Sequence, residues 1–200
     1  NFVDNNLDEG SPVAAYIDSL QHEVSRIKNI TEQLVSLSAA DDTDKETCNL
    51  DKILSSRPVD AMVKRLMSDG FEVIVEPSGE NPEVRANQNQ LQQILQQFIE
   101  NAEEAMPEKG TISISVKTKQ GPNGKYAVMT ISDTGIGIPE ENLQKIFQPF
   151  FTTKGKEATG LGLMITTAIV QNLGGTIGLK SAPGEGTTFR VVLPLVDKSS

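Results

Sequence analysis

The sequence predicts an α+β fold: an α/β sandwich of helices on a mixed, mainly antiparallel sheet, preceded by one long bundle helix. Three observations support this. Apolar residues recur at alternating spacings of three and four over 14–38, which is typical of a helix that needs partner helices. Five later segments have the pattern of strands, and stretches with helical spacing lie between some of them. The sheet is therefore expected to bury one face under helices and leave the other wet.

The amino-terminal helix is expected over 14–38, with the seam residues Ile17, Leu20, Val24, Ile27, Thr31 and Leu34. It would be about 35 Å long and too narrowly striped to bury itself alone. The polar, acidic stretch that follows marks a boundary. We expect three parts: a helical part over 1–40, a linker over 41–48 and an α/β domain over 49–197.

In the first half of that domain, a helix is expected within 53–68, a strand over 71–76 and a turn over 77–82. The clearest helix covers 88–106, with Asn87 or Asn89 near its start and Pro107 after its end. Its helically spaced apolar residues are Leu91, Ile94, Leu95, Phe98, Ile99, Ala102 and Met106.

In the second half, segments 111–119 and 125–133 alternate as a hairpin around Gly-Pro-Asn-Gly. A short helix over 139–147, opened by Pro139, should precede a loop over 148–162. A helix to Leu173 and strands over 175–181 and 187–195 should complete the domain.

Composition excludes several functions. The 200 residues contain 18 Lys and Arg against 27 Asp and Glu, a formal charge of −9. A binder of nucleic acid or of an anionic membrane surface needs a basic excess that this chain lacks. A single cysteine, Cys48, and a single histidine, His22, exclude a disulfide framework and a Cys- or His-rich metal centre. The cysteine count fits a reducing, cytoplasmic setting. Because no apolar run is long enough to span a bilayer, any membrane anchor is expected upstream of this chain.

Three segments have the residues for chemistry. Gln97 and Asn101 share one helix face, and an Asn carbonyl oxygen is a suitable ligand for Mg²⁺ already held by phosphates, although a surface role is the commoner one. Asp133, before two glycines, can accept a hydrogen bond from an adenine amine, although alone the pattern is most often a turn. The glycines of 159–163 precede a helix whose N-terminus can bind phosphate, with Lys154 and Lys156 upstream; an ordinary helix-entry loop is equally compatible.

Taken together and in this order, the segments resemble the nucleotide-binding boxes of sensor histidine kinases, in the superfamily of gyrase, the ninety-kilodalton heat-shock chaperone and mismatch-repair ATPases. The matching stretches are QLQQILQQFIENAEEAM at 90–106, DTGIGIP at 133–139, IFQPFFTTK at 146–154 and TGLGL at 159–163. The similarity runs from about Asn49 to Pro194. It implies the Bergerat ATP-binding fold, with ATP and Mg²⁺ held between helices and a lid.

The resemblance also implies roles for individual residues. Asn101 would be the Mg²⁺ ligand and Asp133 would contact the adenine amine. Lys154 would lie near the γ-phosphate, and Thr187 close to the adenine. The backbone at Gly135, Gly137, Gly160, Leu161 and Gly162 would line the base and phosphate positions, and Phe147, Phe150 and Phe151 would anchor the lid by burying their rings.

Two positions depart from the family pattern. Gln97 stands where related kinases have Asn and hydrolysing relatives have Glu, so a water-activating carboxylate is missing and efficient ATP hydrolysis is not expected. Ala158 replaces a common glycine of the lid. In this family a helical hairpin carries the acceptor histidine, but His22 lacks the proline expected five residues later, and only one helix precedes Asn49. We therefore expect His22 to be a bundle-surface residue.

The resemblance predicts an ATP-dependent histidine kinase that transfers the γ-phosphoryl group of Mg-ATP to a histidine, for relay to an aspartate of a response-regulator receiver domain. The acceptor would lie on a helix upstream of this chain or of a partner subunit, and the full-length protein would be a homodimer. The alternative is a non-catalytic ATP-binding sensor or scaffold. A stand-alone ATPase or a serine-directed relative is a weaker third interpretation.

Overall fold

The computed structural model describes residues 16–17, 20, 23–24, 31, 46–122, 124–153 and 158–196. The described residues before 46 are all helical, and the side chains of Tyr16, Leu20 and Val24 are exposed. His22 and most of the predicted helix over 14–38 lie outside the described residues. No helix among the described residues is both long and apolar enough to cross a bilayer.

From residue 46 onwards, the described chain folds into a mixed α/β unit. Its α-helices are α1 (Leu50–Leu54), α2 (Arg57–Ser68), α3 (Gln88–Glu104) and α4 (Gly162–Asn172). Its strands are β1 (Thr47–Asn49), β2 (Glu72–Glu76), β3 (Glu83–Arg85), β4 (Thr111–Gly121), β5 (Gly124–Asp133), β6 (Thr176–Ser181) and β7 (Thr187–Pro194).

The main sheet has the strand order β2-β4-β5-β7-β6. Strands β2 and β4 are parallel and the other neighbours are antiparallel, which confirms the mixed, mainly antiparallel sheet expected from the sequence. The burial alternates along β4 and β5, so only one face of the sheet lies in the core. Helices cover that face, and Phe98 of α3 stacks on Phe189 of β7 with ring centroids 4.5 Å apart.

Helix α3 forms where its sequence signals indicate. The Asn87 side chain accepts a hydrogen bond from the Asn89 backbone N–H, and the Gln90 side chain accepts one from the Asn87 N–H, so both ends of a capping box are satisfied. Its apolar stripe is buried, and the helix contacts strands β4 and β5. The helix ends at Glu104, capped by Ala105, two residues earlier than the pattern predicts.

Two local features differ from the sequence-based expectations. The short strands β1 and β3 pair with each other in a separate antiparallel sheet. Strands of three residues are too short to be predicted from a sequence pattern. The helix predicted over 139–147 is only a 3₁₀ turn at Glu140–Asn142, followed by further turns. None of the three residues in that turn is buried. A longer helix there would gain little stability from packing, which is where most helical stability in proteins comes from.

Candidate functional site

A pocket with a volume of about 700 Å³ opens between α3, the loop after β5 and the segment before α4. Its polar lining residues include Gln97, Glu100, Asn101, Glu104, Asp133, Asn142, Thr152, Thr153, Thr159 and Thr187. Its apolar lining residues include Ala105, Ile136, Ile138, Pro139, Ile146, Phe151, Ala158, Leu163 and Phe189. This mixture of apolar walls and a few polar groups is typical of a small-molecule site.

Helix α3 connects two glycine-containing segments across this pocket. At its C-terminal end, the carbonyl oxygen of Ala105 accepts a hydrogen bond of 3.0 Å from the Ile136 N–H, in the loop after β5. Two turns earlier, the amide of Gln97 packs directly against Gly162, where a Cβ atom would overlap it. Eight residues of helix separate these contacts by about 12 Å, a span suited to an extended ligand such as a nucleotide.

Asp133, at the end of β5, is held in place by backbone hydrogen bonds. Its Oδ1 atom accepts from the N–H of Gly135 at 2.9 Å and from the N–H of Thr187 at 3.1 Å. Among the described residues, no other group donates a hydrogen bond to this carboxylate. Both bonds go to Oδ1. Oδ2 thus keeps its lone pairs for a donor on a ligand.

The electrostatic environment of Asp133 is that of a buried acid. Desolvation raises the pKa of Asp133, and the hydrogen bonds from the Gly135 and Thr187 backbone partly offset this by stabilising the charged form. A ligand N–H group directed at the carboxylate would favour the charged form further.

The loop after β5 needs its glycines because other backbone lies against them. Gly137 has φ +70°, and a Cβ atom there would overlap the carbonyl oxygen of Ala182, in the turn between β6 and β7. That turn also donates from the Gly184 N–H to the Ile136 carbonyl oxygen at 2.8 Å. The loop is therefore clamped between the end of α3 and the β6–β7 turn.

The segment before α4 closes the other end of the pocket. Gly160, with φ +66°, accepts a hydrogen bond of 3.0 Å from the Phe150 N–H through its carbonyl oxygen. The expectation that the phenylalanine rings are buried is wrong for Phe150, whose side chain is 72% exposed. Its backbone has a left-handed φ of +64°, which is uncommon for a residue other than glycine. Phe147 and Phe151 are half-buried.

The donor set at the Gln97 end is compatible with Mg²⁺. Among the described residues, no group of three or more His, Cys, Asp or Glu side chains is arranged to hold a metal by itself. Asn101 lines the pocket one helical turn from Gln97 and supplies an amide oxygen. Mg²⁺ usually takes only one or two protein ligands and the rest from phosphate and water, so these residues fit a metal brought by a triphosphate.

Most residues singled out in the sequence meet at this pocket. Gln97, Asn101, Asp133, Gly137, Gly160, Gly162 and Thr187 all line it. Gly135 lies against Ala105 at its edge, whereas the Leu161 side chain is buried in the core as the N-cap residue of α4. Lys154 and Lys156 lie outside the described residues. The sequence reasoning missed the apolar walls from Ile146, Leu163 and Phe189, because an apolar side chain that lines a cavity has the same pattern as a core residue.

Comparison with known proteins agrees with this geometry. The family described as Histidine kinase-, DNA gyrase B-, and HSP90-like ATPase matches residues 86–197, which include all the described pocket residues. The chain belongs to this family of ATP-binding domains.

Several similar proteins are named as kinases. The chain is 32% identical over 191 residues to Sensor kinase CckA of Brucella abortus, covering 89% of this chain and 20% of that protein. It is 35% identical to Sporulation kinase A of Bacillus subtilis, covering 90% of this chain and 29% of that protein. The catalytic domain of histidine kinase ThkA has 30% identity and a TM-score of 0.63, covering 74% of this chain and 96% of that one. The chain thus spans less than a third of the length of each of these two curated relatives.

Proposed function

We propose that this chain is the Mg-ATP-binding catalytic region of a sensor histidine kinase, which transfers the γ-phosphoryl group of ATP to a histidine. The observation that carries the proposal is the joint placement of the Asp133 carboxylate and the Gln97 and Asn101 amides along one pocket, in a chain of the ATPase family. The names of the relatives as sensor and sporulation kinases support transfer over a purely structural role. A non-catalytic sensor or scaffold is therefore not favoured.

Each end of the pocket has its own task in this proposal. Asp133 accepts the adenine amine through its free oxygen, and the apolar walls hold the base. Asn101 holds Mg²⁺, which when bound neutralises phosphate charge. The backbone around Gly160 and Gly162 donates to phosphate oxygens at the start of α4, with Lys154 near the γ-phosphate. Gln97 packs on Gly162 and orients that backbone, and it lacks the carboxylate needed to activate water.

The reaction is a phosphoryl transfer in which positioning and charge neutralisation do most of the work. The bond between the γ-phosphorus and the bridging oxygen of ADP breaks, and a bond forms to an imidazole nitrogen of the acceptor, which loses its proton. We propose that this acceptor lies on a helix outside this chain, in the same or a partner subunit of a cytoplasmic homodimer. The exposed Tyr16, Leu20 and Val24 supply a helical surface for such packing. A receiver-domain aspartate then takes the phosphoryl group.

The experiment joins the chain to the proposed acceptor helix and supplies ATP labelled at the γ-phosphate. We expect an acid-labile, alkali-stable phosphoprotein that loses its label to a receiver domain. Asn101→Ala should abolish labelling, while Gln96→Ala, on an exposed position of the same helix, should not. ATP binding without any labelled histidine would instead favour the non-catalytic sensor.

A further inference from the structure

The hydroxyl group of Ser181 connects the two backbone segments that surround Asp133. Its Oγ atom lies 2.8 Å from the Ile138 backbone nitrogen, 2.8 Å from the Gly186 carbonyl oxygen and 3.0 Å from the Thr187 hydroxyl. Ile138 belongs to the loop after β5, whereas Gly186 and Thr187 belong to the β6–β7 turn and the start of β7. One half-buried side chain therefore bonds to both walls of the base end of the pocket.

The direction of each bond follows from the atoms available. A serine hydroxyl has one hydrogen and two lone pairs. The Gly186 carbonyl oxygen only accepts, so it takes the single hydrogen of Ser181. The Ile138 N–H donates to one lone pair, and the remaining lone pair can only accept. In the bond between the two hydroxyls, Thr187 is therefore the donor, and its Oγ1 atom is left with lone pairs alone.

With this assignment, the base end of the pocket presents hydrogen-bond acceptors to a ligand. Thr187 lines the pocket, and its hydroxyl can only accept. The free Oδ2 of the ionised Asp133 is also an acceptor, because the described backbone bonds go to Oδ1. A purine with a 6-amino group brings hydrogens to these acceptors, whereas a 6-oxo group would face them with lone pairs.

We propose that Ser181 is a positioning residue that sets base selectivity. It accepts the hydrogen bond that the Thr187 hydroxyl donates, so that hydroxyl can only accept from a ligand. Ser181 does not line the pocket and would act only through Thr187 and the loop. The inference rests on the proposed function, since it takes an adenine nucleotide as the ligand. Without Ser181, the Thr187 hydroxyl is free to rotate and donate to a 6-oxo group.

The test compares the dissociation constants of ATP and inosine triphosphate for the whole chain, measured by calorimetry. The two nucleotides have the same phosphates and ribose and differ at the purine 6-position and the N1 proton. We expect Ser181→Ala to lower the preference for ATP about tenfold. Ser181→Thr, which keeps a hydroxyl, should restore it. Thr188→Ala is the matched control, because it removes a hydroxyl pair of 2.8 Å with Ser132 that lies outside the pocket lining.

A second variant separates selectivity from mere support of the loops. In a Thr187→Val background, Ser181→Ala should cause no further loss of preference, because the hydroxyl it would release is gone. Equal weakening of both nucleotides by Ser181→Ala, or a further loss of preference in the double variant, would overturn the inference. Wild-type chain that binds neither nucleotide would overturn the proposed function as well. Retained ATP binding with an unmoved preference overturns only the role of Ser181.

Discussion

The two ends of the pocket are prepared for their ligand in different ways. At the base end, Asp133 is fixed by the Gly135 and Thr187 backbone, and a neutral network of short hydrogen bonds holds the surrounding loops. At the phosphate end, Gln97 and Asn101 present uncharged amides, and Glu100 of the same helix also lines the pocket. None of the described residues that line the pocket is Lys or Arg.

This difference indicates how binding energy is divided. On the proposed function, the base end would accept an adenine amine as it stands, with no ion required. On the proposed function, the phosphate end has described residues of the wrong charge for a triphosphate, so it should depend on a cation that arrives with the ligand. The net charge of −9 adds no general attraction for an anion. Recognition of the base and dependence on Mg²⁺ should therefore be separable by mutation.

The largest effect is expected from Asp133→Ala. Loss of a buried charged acceptor, together with the anchor for two backbone N–H groups, should weaken ATP about a hundredfold. The affinity for adenosine should fall by a similar factor, because the lost contact is to the base. Asp60→Ala, at an exposed ion pair with Lys64, is the control and should leave both affinities unchanged. Calorimetric titration gives both numbers, and a loss confined to ATP would place Asp133 at the wrong end of the pocket.

Asn101→Ala changes the phosphate end of the pocket and should have a smaller effect on ATP affinity. We expect about a tenfold loss of affinity for Mg-ATP, the size of one ligand contact. The affinity for ATP in the presence of a chelator, and for adenosine, should change little. Parallel titrations with and without Mg²⁺ check this. If the variant weakened adenosine as strongly as Mg-ATP, Asn101 would be supporting the fold rather than the metal.

The raised pKa of Asp133 predicts a pH dependence at the base end. The ionised carboxylate is a stronger acceptor for the adenine amine than the protonated carboxyl group, so ATP affinity should fall several-fold as the pH drops through this pKa. Because burial raises the pKa, the fall should begin at a higher pH than an ordinary aspartate would cause. Binding measured from neutral to acidic pH tests the sign. Asp133→Asn should have lost this dependence, and an unchanged profile in that variant would assign the titration to another group.

The smallest effect concerns the support of α3, which serves both ends. Arg65 of α2 contacts Glu103 through two short bonds of 2.7 and 2.9 Å, and this lowers the pKa of Glu103. The stabilisation is present above the ordinary pKa of a glutamate and is lost as the pH falls through the lowered value. Since both side chains are partly exposed, Glu103→Gln should cost about 1 kcal/mol in urea unfolding at neutral pH.

The matched control for that pair is Asp60→Asn, at the more exposed ion pair with Lys64. Its cost in free energy of unfolding should be too small to measure. Equal losses in Glu103→Gln and Asp60→Asn would show that the Arg65 pair gives α3 no special support.

The sequence was informative where local rules dominate. Asn87 and Pro107 bracket α3 because caps are read from a few neighbouring residues, and the two glycine segments were assigned from their resemblance to the boxes of the family. The sequence could not indicate the pairing of β1 with β3, since three residues have no period to detect. The exposed ring of Phe150 depends on a left-handed backbone that its residue type does not suggest. Ser181 was missed because its bond to Ile138 spans 43 residues and exists only in the folded chain.

The most direct test of the account is one set of titrations of the wild-type chain with adenosine and ATP, each with Mg²⁺ and with a chelator. The account predicts that adenosine binds equally well in both conditions, while ATP binds at least tenfold more tightly with Mg²⁺. ATP affinity that is the same with and without Mg²⁺, or adenosine affinity that depends on the metal, would contradict the division of the pocket into a base end built by the protein and a phosphate end completed by a cation.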